Sequence, residues 1–248
     1  MEIAEHIAHV RDEGERFAEA AGAAGLDAPV PTCPEWKVRD LVRHLGGVHH
    51  WATSYVLSGN PRPSSEKEDA KLFAGLDDAD LLPGFRAGLA ALVAALSAAS
   101  PDLDCWSFLA APSPLAFWAR RQAHETTIHR VDAELAAGRD ARCAPEFAAD
   151  GIDELLKGFF SRARGRLVAD PAVALAVRTT DTGDAWTIRI EPDRRVVTAG
   201  TADADCRVSG PASDLYLLLW NRWTVDRGID VEGERGVLEL WRTKAVIR

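Results

Sequence analysis

The chain has 248 residues, 47% hydrophobic and 27% charged, which is enough to bury the cores of two domains and excludes a disordered polypeptide. Its net charge of −9, with no basic tract to offset it, argues against a nucleic-acid partner. No stretch reads as a membrane span, and Met1-Glu-Ile-Ala-Glu-His6 lacks the positive flank and apolar core of a signal peptide. Cys33, Cys105, Cys143 and Cys206 are widely spaced without a C-x-x-C pair, so a reduced, cytoplasmic protein without a disulfide framework is expected.

In chain order, the first segment carries Ile3, Ile7, Val10, Phe17 and Ala21 at helical spacing. A second helix is predicted to enter through Pro31-Thr32-Cys33-Pro34-Glu35, with Thr32 and Glu35 as a capping box. Its apolar stripe is Val38, Leu41, Leu45, Val48, Ala52 and Tyr55. Gly46-Gly47 in its middle costs about 1 kcal/mol per glycine relative to alanine, which close helix approach, room for a ligand or a tolerated defect would explain. A long loop follows over residues 58–76, then a third helix over 78–99 with Phe85, Leu89, Leu92, Val93 and Leu96 inward. After an irregular stretch to Pro114, a fourth helix runs to about residue 137 and stops at Gly138. The pattern predicts a four-helix bundle over residues 1–143.

The texture then changes, with the boundary near residues 140–148. Residues 145–163 give one more amphipathic helix, and β-type alternation follows at 173–178, 185–191 and 195–198, with Glu191-Pro192-Asp193-Arg194 as a hairpin turn. Cys206–Val208 fits a further short strand, and helices are expected over 212–222 and 234–242. Residues 144–248 are therefore expected to form a small α+β domain with helices on an antiparallel sheet.

The fourth helix carries the chemistry. Glu125 and His129 are four residues apart, which stacks a carboxylate and an imidazole on one helical face as two ligands for a divalent metal. His44, on the second helix, offers a third ligand and leaves coordination positions open. Taken by itself the E-x-x-x-H spacing is common by chance, and a histidine at a core edge is usually just hydrogen-bonded. His124 and His129 are five residues apart and point to different faces, which excludes a metalloprotease H-E-x-x-H site. His49 and His50 are rotated by more than roughly 100° from His44 and are assigned to surface or helix-end positions, with a substrate contact as the alternative. Cys33, beside Pro34 at a helix entry, suits a structural role better than a nucleophilic one.

Residues 31–49 (Pro-Thr-Cys-Pro-Glu-Trp-Lys-Val-Arg-Asp-Leu-Val-Arg-His-Leu-Gly-Gly-Val-His) and residues 117–133 (Phe-Trp-Ala-Arg-Arg-Gln-Ala-His-Glu-Thr-Thr-Ile-His-Arg-Val-Asp-Ala) resemble the two bundle signatures of the mycothiol-dependent maleylpyruvate isomerase family. This is a branch of the DinB-like metal-binding four-helix bundles. Residues 184–190 and 209–222 resemble the sterol-carrier-like α+β domain that accompanies the bundle. The resemblance implies a metal, typically zinc, on His44, Glu125 and His129, with mycothiol as the thiol cofactor. It also implies an arginine of the second domain serving catalysis, here Arg222; the rival role for Arg222 is to satisfy the carbonyls at a helix C-terminus. The implied function is isomerisation or S-transfer on a small electrophilic, unsaturated acid, by a monomer or homodimer with no nucleic-acid or membrane partner. Two alternatives stand beside it. One is a non-catalytic binding protein for a small apolar ligand. The other is a thiol-independent metal hydrolase using His49 or Asp132 as base.

Overall fold

The computed structural model describes residues 1–65, 77–162, 165–225 and 227–245. Residues 66–76 of the expected long loop lie outside the described residues. The chain divides into two compact units, Met1–Ala141 and Arg142–Arg248.

The first unit is a bundle of α1 (Ile3–Ala24), α2 (Val38–Ser58), α3 (Leu81–Ala98) and α4 (Pro114–Ala136). α1 packs chiefly on α4, and α2 chiefly on α3. α1 starts where the Glu5 side chain accepts from the Glu2 backbone N–H (2.7 Å), and it stops at Gly25, whose φ of 84° only glycine adopts cheaply. α4 starts with Ser113, whose Oγ accepts from Ala116 N–H at 3.1 Å, followed by Pro114 in the first turn. The core is built from Val10, Phe17, Leu41, Leu45, Phe85, Leu89, Leu92 and Trp118. α1 and α3 approach so closely at Gly14 that a Cβ there would lie 2.5 Å from Leu89.

Between α1 and α2 the structure departs from the expected helix entry. Pro29–Val30 (β1) and Cys33–Lys37 (β2) form an antiparallel hairpin, and α2 begins only at Val38. Cys33 precedes a proline and is driven toward extended backbone. The first turn of α2 is capped instead by Asp40, which accepts from the Lys37 backbone N–H at 3.0 Å. Gly46 is not demanded by close approach, because a Cβ there would meet Phe85 at an ordinary 3.9 Å. The turn and helix Asp78–Ala98 are long and apolar enough by composition to cross a membrane, which amends the expectation of no such stretch. Their apolarity is used inside the bundle, where Phe85, Leu89, Leu92 and Leu96 are buried.

α4 is buried on nearly every face, including Arg121, Gln122, His124, Arg130, Asp132 and Glu134. Its charges are paired. Arg130, fully buried, donates to Glu13 Oε2 (2.6 Å) and Glu134 Oε2 (2.7 Å), while Arg16 donates to Glu13 Oε1 (2.8 Å) and Glu134 Oε1 (3.0 Å). The four side chains thus close an ionic square that ties α1 to α4.

The second unit opens with α5 (Pro145–Asp153), which continues as a π-helical segment over Glu154–Phe160. It contains a sheet of strand order β5-β4-β3-β6-β7: β3 (Val173–Thr179), β4 (Ala185–Ile190), β5 (Arg195–Ala199), β6 (Cys206–Gly210) and β7 (Asp230–Gly233). α6 (Ala212–Leu219) packs against α5, and α7 (Arg235–Lys244) against β3 and β6. The sheet is mixed rather than wholly antiparallel: β6 runs parallel to β3, in register from Leu175–Cys206 to Thr179–Gly210. Residues 200–205 make that crossover possible by bonding to strands they pass. Thr187 Oγ1 donates to Gly200 O (2.9 Å) and accepts from Ala202 N–H (2.9 Å), and Asp205 holds both backbone groups of Ala174. Arg195 turns inward, where its Nε donates to Phe160 O (3.1 Å) and its Nη2 to Arg162 O at the C-terminal end of the π-helical segment.

Removing Arg130 while leaving its two carboxylates buried is strongly unfavourable. Arg130→Met is expected to lower unfolding free energy by about 3–5 kcal/mol, measured by chemical denaturation; an unchanged midpoint would show the square to be energetically idle.

Candidate metal centre

The sequence-predicted ligands meet across α2 and α4. One donor atom each from His44, Glu125 and His129 lies within 4.8 Å of the other two. Glu125 Oε1 is the meeting point, 3.4 Å from His44 Nε2 and 3.2 Å from His129 Nε2. The side chains of His44 and Glu125 keep 33% and 21% of their surface exposed, against 10% for His129, so the cluster is open on the His44 side to an incoming molecule.

Electrostatics hold the cluster together. Burial opposes charge on Glu125, but hydrogen bonds from His129 and His44 and the charges of His129 and Arg121 outweigh it and hold its carboxyl well below the usual range. Arg121, four residues earlier and buried, donates to Glu125 Oε2 at 3.1 Å. Burial likewise opposes charge on His129, yet its bonds to Asp132 and Glu125 raise its pKa to about 9. Asp132 Oδ2 accepts from His129 Nδ1 at 2.9 Å, and its Oδ1 accepts from Thr32 Oγ1 at 2.5 Å.

The donor set fits a divalent metal. Two Nε2 atoms and a carboxylate face one point, and the one ring nitrogen of His129 that faces away is bound by a carboxylate, the arrangement that orients metal-binding histidines. The open side is what distinguishes a catalytic from a closed structural site.

Two contributors were not assigned from the sequence. Trp36, on β2, places its ring 5.0 Å from that of His44 and 6.4 Å from that of His129, nearly parallel to the latter at 26°. Asp132 entered the sequence reading only as a base for the hydrolase alternative, yet its pairing with His129 is an i,i+3 contact that spacing alone would suggest.

The remaining candidates fall elsewhere. His49 is fully buried rather than at a surface, with Nε2 bonded to Thr126 Oγ1 (2.9 Å) and its ring against Phe85. Burial lowers its pKa to about 3, so it stays neutral. His50 is exposed. His124 is buried with its ring 6.1 Å from His6. Cys33 pairs with Val30 in the hairpin, and no disulfide joins any of the four cysteines. Arg222 follows α6 past Asn221, whose φ of 58° ends the helix, and its Nη1 donates to Trp220 O at 2.9 Å.

Four packed helices that bring two imidazoles and a carboxylate to one point form a bundle of the DinB-like class. Residues 7–134 match the mycothiol maleylpyruvate isomerase N-terminal domain and residues 146–240 the C-terminal domain of the same family; the chain belongs to this family. No curated protein matches it. Among solved structures it is similar to that of the mycothiol-dependent maleylpyruvate isomerase (TM-score 0.64, 16% identity, covering 94% of this chain and 95% of that one). It is also similar to a histidine-to-alanine mutant of that enzyme (TM-score 0.63, 15% identity, the same coverage). At such identity these likenesses establish a shared fold.

Elemental analysis of purified protein is expected to find about one divalent ion per chain, as a three-ligand site would hold. His129→Ala should lose it; a variant that retains the ion would place the metal elsewhere.

His49 makes a separate prediction. Its pKa lies near 3 in the folded chain against 6.5 for the ordinary imidazole, so between those values the unfolded chain binds a proton that the folded chain does not. Stability contributed by neutral His49 is therefore lost as pH falls below about 6.5, at up to about 1.4 kcal/mol per pH unit. Denaturation midpoints from pH 7 to 4 should fall less steeply in His49→Gln than in the wild type.

Proposed function

We propose that this protein is a metal-dependent, thiol-using isomerase or S-transferase acting on a small electrophilic, unsaturated acid. The observation that carries the reading is the convergence of His44, Glu125 and His129 on one point that is open to solvent. Family membership supports the thiol partner, with mycothiol as the first candidate, and zinc is the first candidate for the metal.

A divalent metal and a thiol bound here would together supply a thiolate at neutral pH, able to add reversibly to a conjugated double bond so that rotation and elimination give the trans isomer, or so that the adduct departs in a transferase.

The chain's own residues prepare that site. His44 and His129 would hold the metal through their ring nitrogens, and Glu125 through its carboxylate. Arg121 keeps Glu125 ionised, and its buried guanidinium offsets the carboxylate charge. Asp132 holds the His129 ring in place. Trp36 lies with its ring beside both imidazoles. Arg222, in the second unit, is the candidate that the family resemblance offers for holding a substrate carboxylate, for which a guanidinium fork is suited.

The hydrolase alternative loses both of its bases in this geometry. Both oxygens of Asp132 are already bonded, and His49 is sealed in the core.

The reading is tested by following a cis-unsaturated dicarboxylic acid such as maleylpyruvate with zinc-loaded protein, with and without mycothiol. Thiol-dependent conversion to the trans isomer or to a thioether is expected, and Arg222→Ala should raise KM about tenfold, the loss of roughly 1.4 kcal/mol of carboxylate binding. Zinc-loaded protein that leaves the acid and other unsaturated electrophiles untouched would point to a binding protein instead.

A further inference from the structure

We infer that the hairpin Pro29–Lys37 is a positioning device for the metal centre, in which Thr32 and Asp132 fix His129 as an Nε2 ligand and Trp36 braces both histidine rings. This rests on the metal reading above and extends it to residues outside the ligand set.

The argument begins with Asp132. Its side chain is fully buried, and a buried carboxylate must have both oxygens satisfied. One oxygen takes His129 Nδ1 at 2.9 Å and the other takes the Thr32 hydroxyl at 2.5 Å. A carboxylate only accepts, so the Asp132 contact keeps a proton on His129 Nδ1, and Nε2 is the nitrogen left to give up its own proton and offer a lone pair to a metal. That nitrogen faces Glu125 Oε1, the atom His44 Nε2 also faces.

Thr32 reaches Asp132 because of where the hairpin turns. Val30 pairs with Cys33, leaving Pro31 and Thr32 as the connecting residues, so the hydroxyl projects from a short turn between two proline-restricted positions. On the returning strand Trp36 lies beside the rings of His44 and His129. A single hairpin therefore acts on a ligand from each of two helices, on His129 through a hydrogen-bonded carboxylate and on both through ring contact. Groups that orient metal-binding histidines in this way typically change metal affinity by about 10–100-fold when removed.

The test is zinc affinity, measured on the full-length protein by competition with a chromophoric chelator, alongside thermal melting of the metal-free forms. Thr32→Val removes the hydroxyl at nearly constant shape, and Asp132→Asn replaces the accepting carboxylate. Both are expected to weaken zinc binding by about 10–100-fold. Thr32→Ser, which keeps the hydroxyl, is expected to restore most of the affinity even if it melts as low as Thr32→Val, a rescue that a purely structural methyl contact would not give. Wild-type zinc binding that is unchanged in both Thr32→Val and Asp132→Asn would overturn this inference and leave the metal reading intact. A serine variant no better than valine would overturn it as well. Wild-type protein that takes up no zinc would overturn the metal reading and this inference with it.

Discussion

The position of Glu125 Oε1 organises the first unit. Two imidazoles from different helices face that oxygen, and a buried guanidinium grips its partner oxygen at 3.1 Å. A carboxylate so placed cannot be left without cationic company, because burying an uncompensated charge costs several kcal/mol. Arg121, the protonated His129 or a metal can each supply that charge. The helices are therefore held at the spacing the cluster requires, and the chemistry and the packing of α2 against α4 are parts of one constraint.

The same logic governs the far side of α4. A helix buried on almost every face would ordinarily be apolar throughout, yet this one carries Arg121, Arg130, Asp132 and Glu134 into the interior. Each is met by a partner of opposite charge or by a hydroxyl, and the square of Arg16, Arg130, Glu13 and Glu134 does for α1 what the histidine cluster does for α2. Neutral residues of similar volume would pack at least as stably. What the charges add is selectivity, since a shift of one helix along another would separate every pair.

Much of this was legible before any coordinates. Helical spacing located four bundle helices to within a few residues, and the E-x-x-x-H pair with a histidine on an earlier helix identified the three residues that do come together. The hairpin was not legible, because Pro31-Thr32-Cys33-Pro34-Glu35 carries the cues of a helix entry. Only the long-range bond from Thr32 to Asp132 and the extended preference of Cys33 before proline decide otherwise. β7 escaped notice since Asp230–Gly233 is short and polar, a strand made by pairing with β6 rather than by its own residues. The parallel pairing of β6 with β3 is likewise set by side chains of Thr187 and Asp205 that catch a passing connection. His49 was placed outward by its angle from His44, yet it is buried on α2 with its ring against Phe85 of α3 and its Nε2 bonded to Thr126 of α4.

The three donor atoms are supplied by segments 81 residues apart in the chain, His44 on α2 and Glu125 on α4. In the unfolded polypeptide they have no common location, so a metal that binds them binds only the folded bundle. Folding and metal uptake are then a single linked equilibrium: free metal at a hundred times its dissociation constant would add about 2.7 kcal/mol to the stability of the chain. For a bundle that holds such a metal, a shortage of it would lower the stability of the fold itself. A larger fraction of opened bundles would then be exposed to proteolysis, so the amount of this protein would track the metal supply without a dedicated sensor.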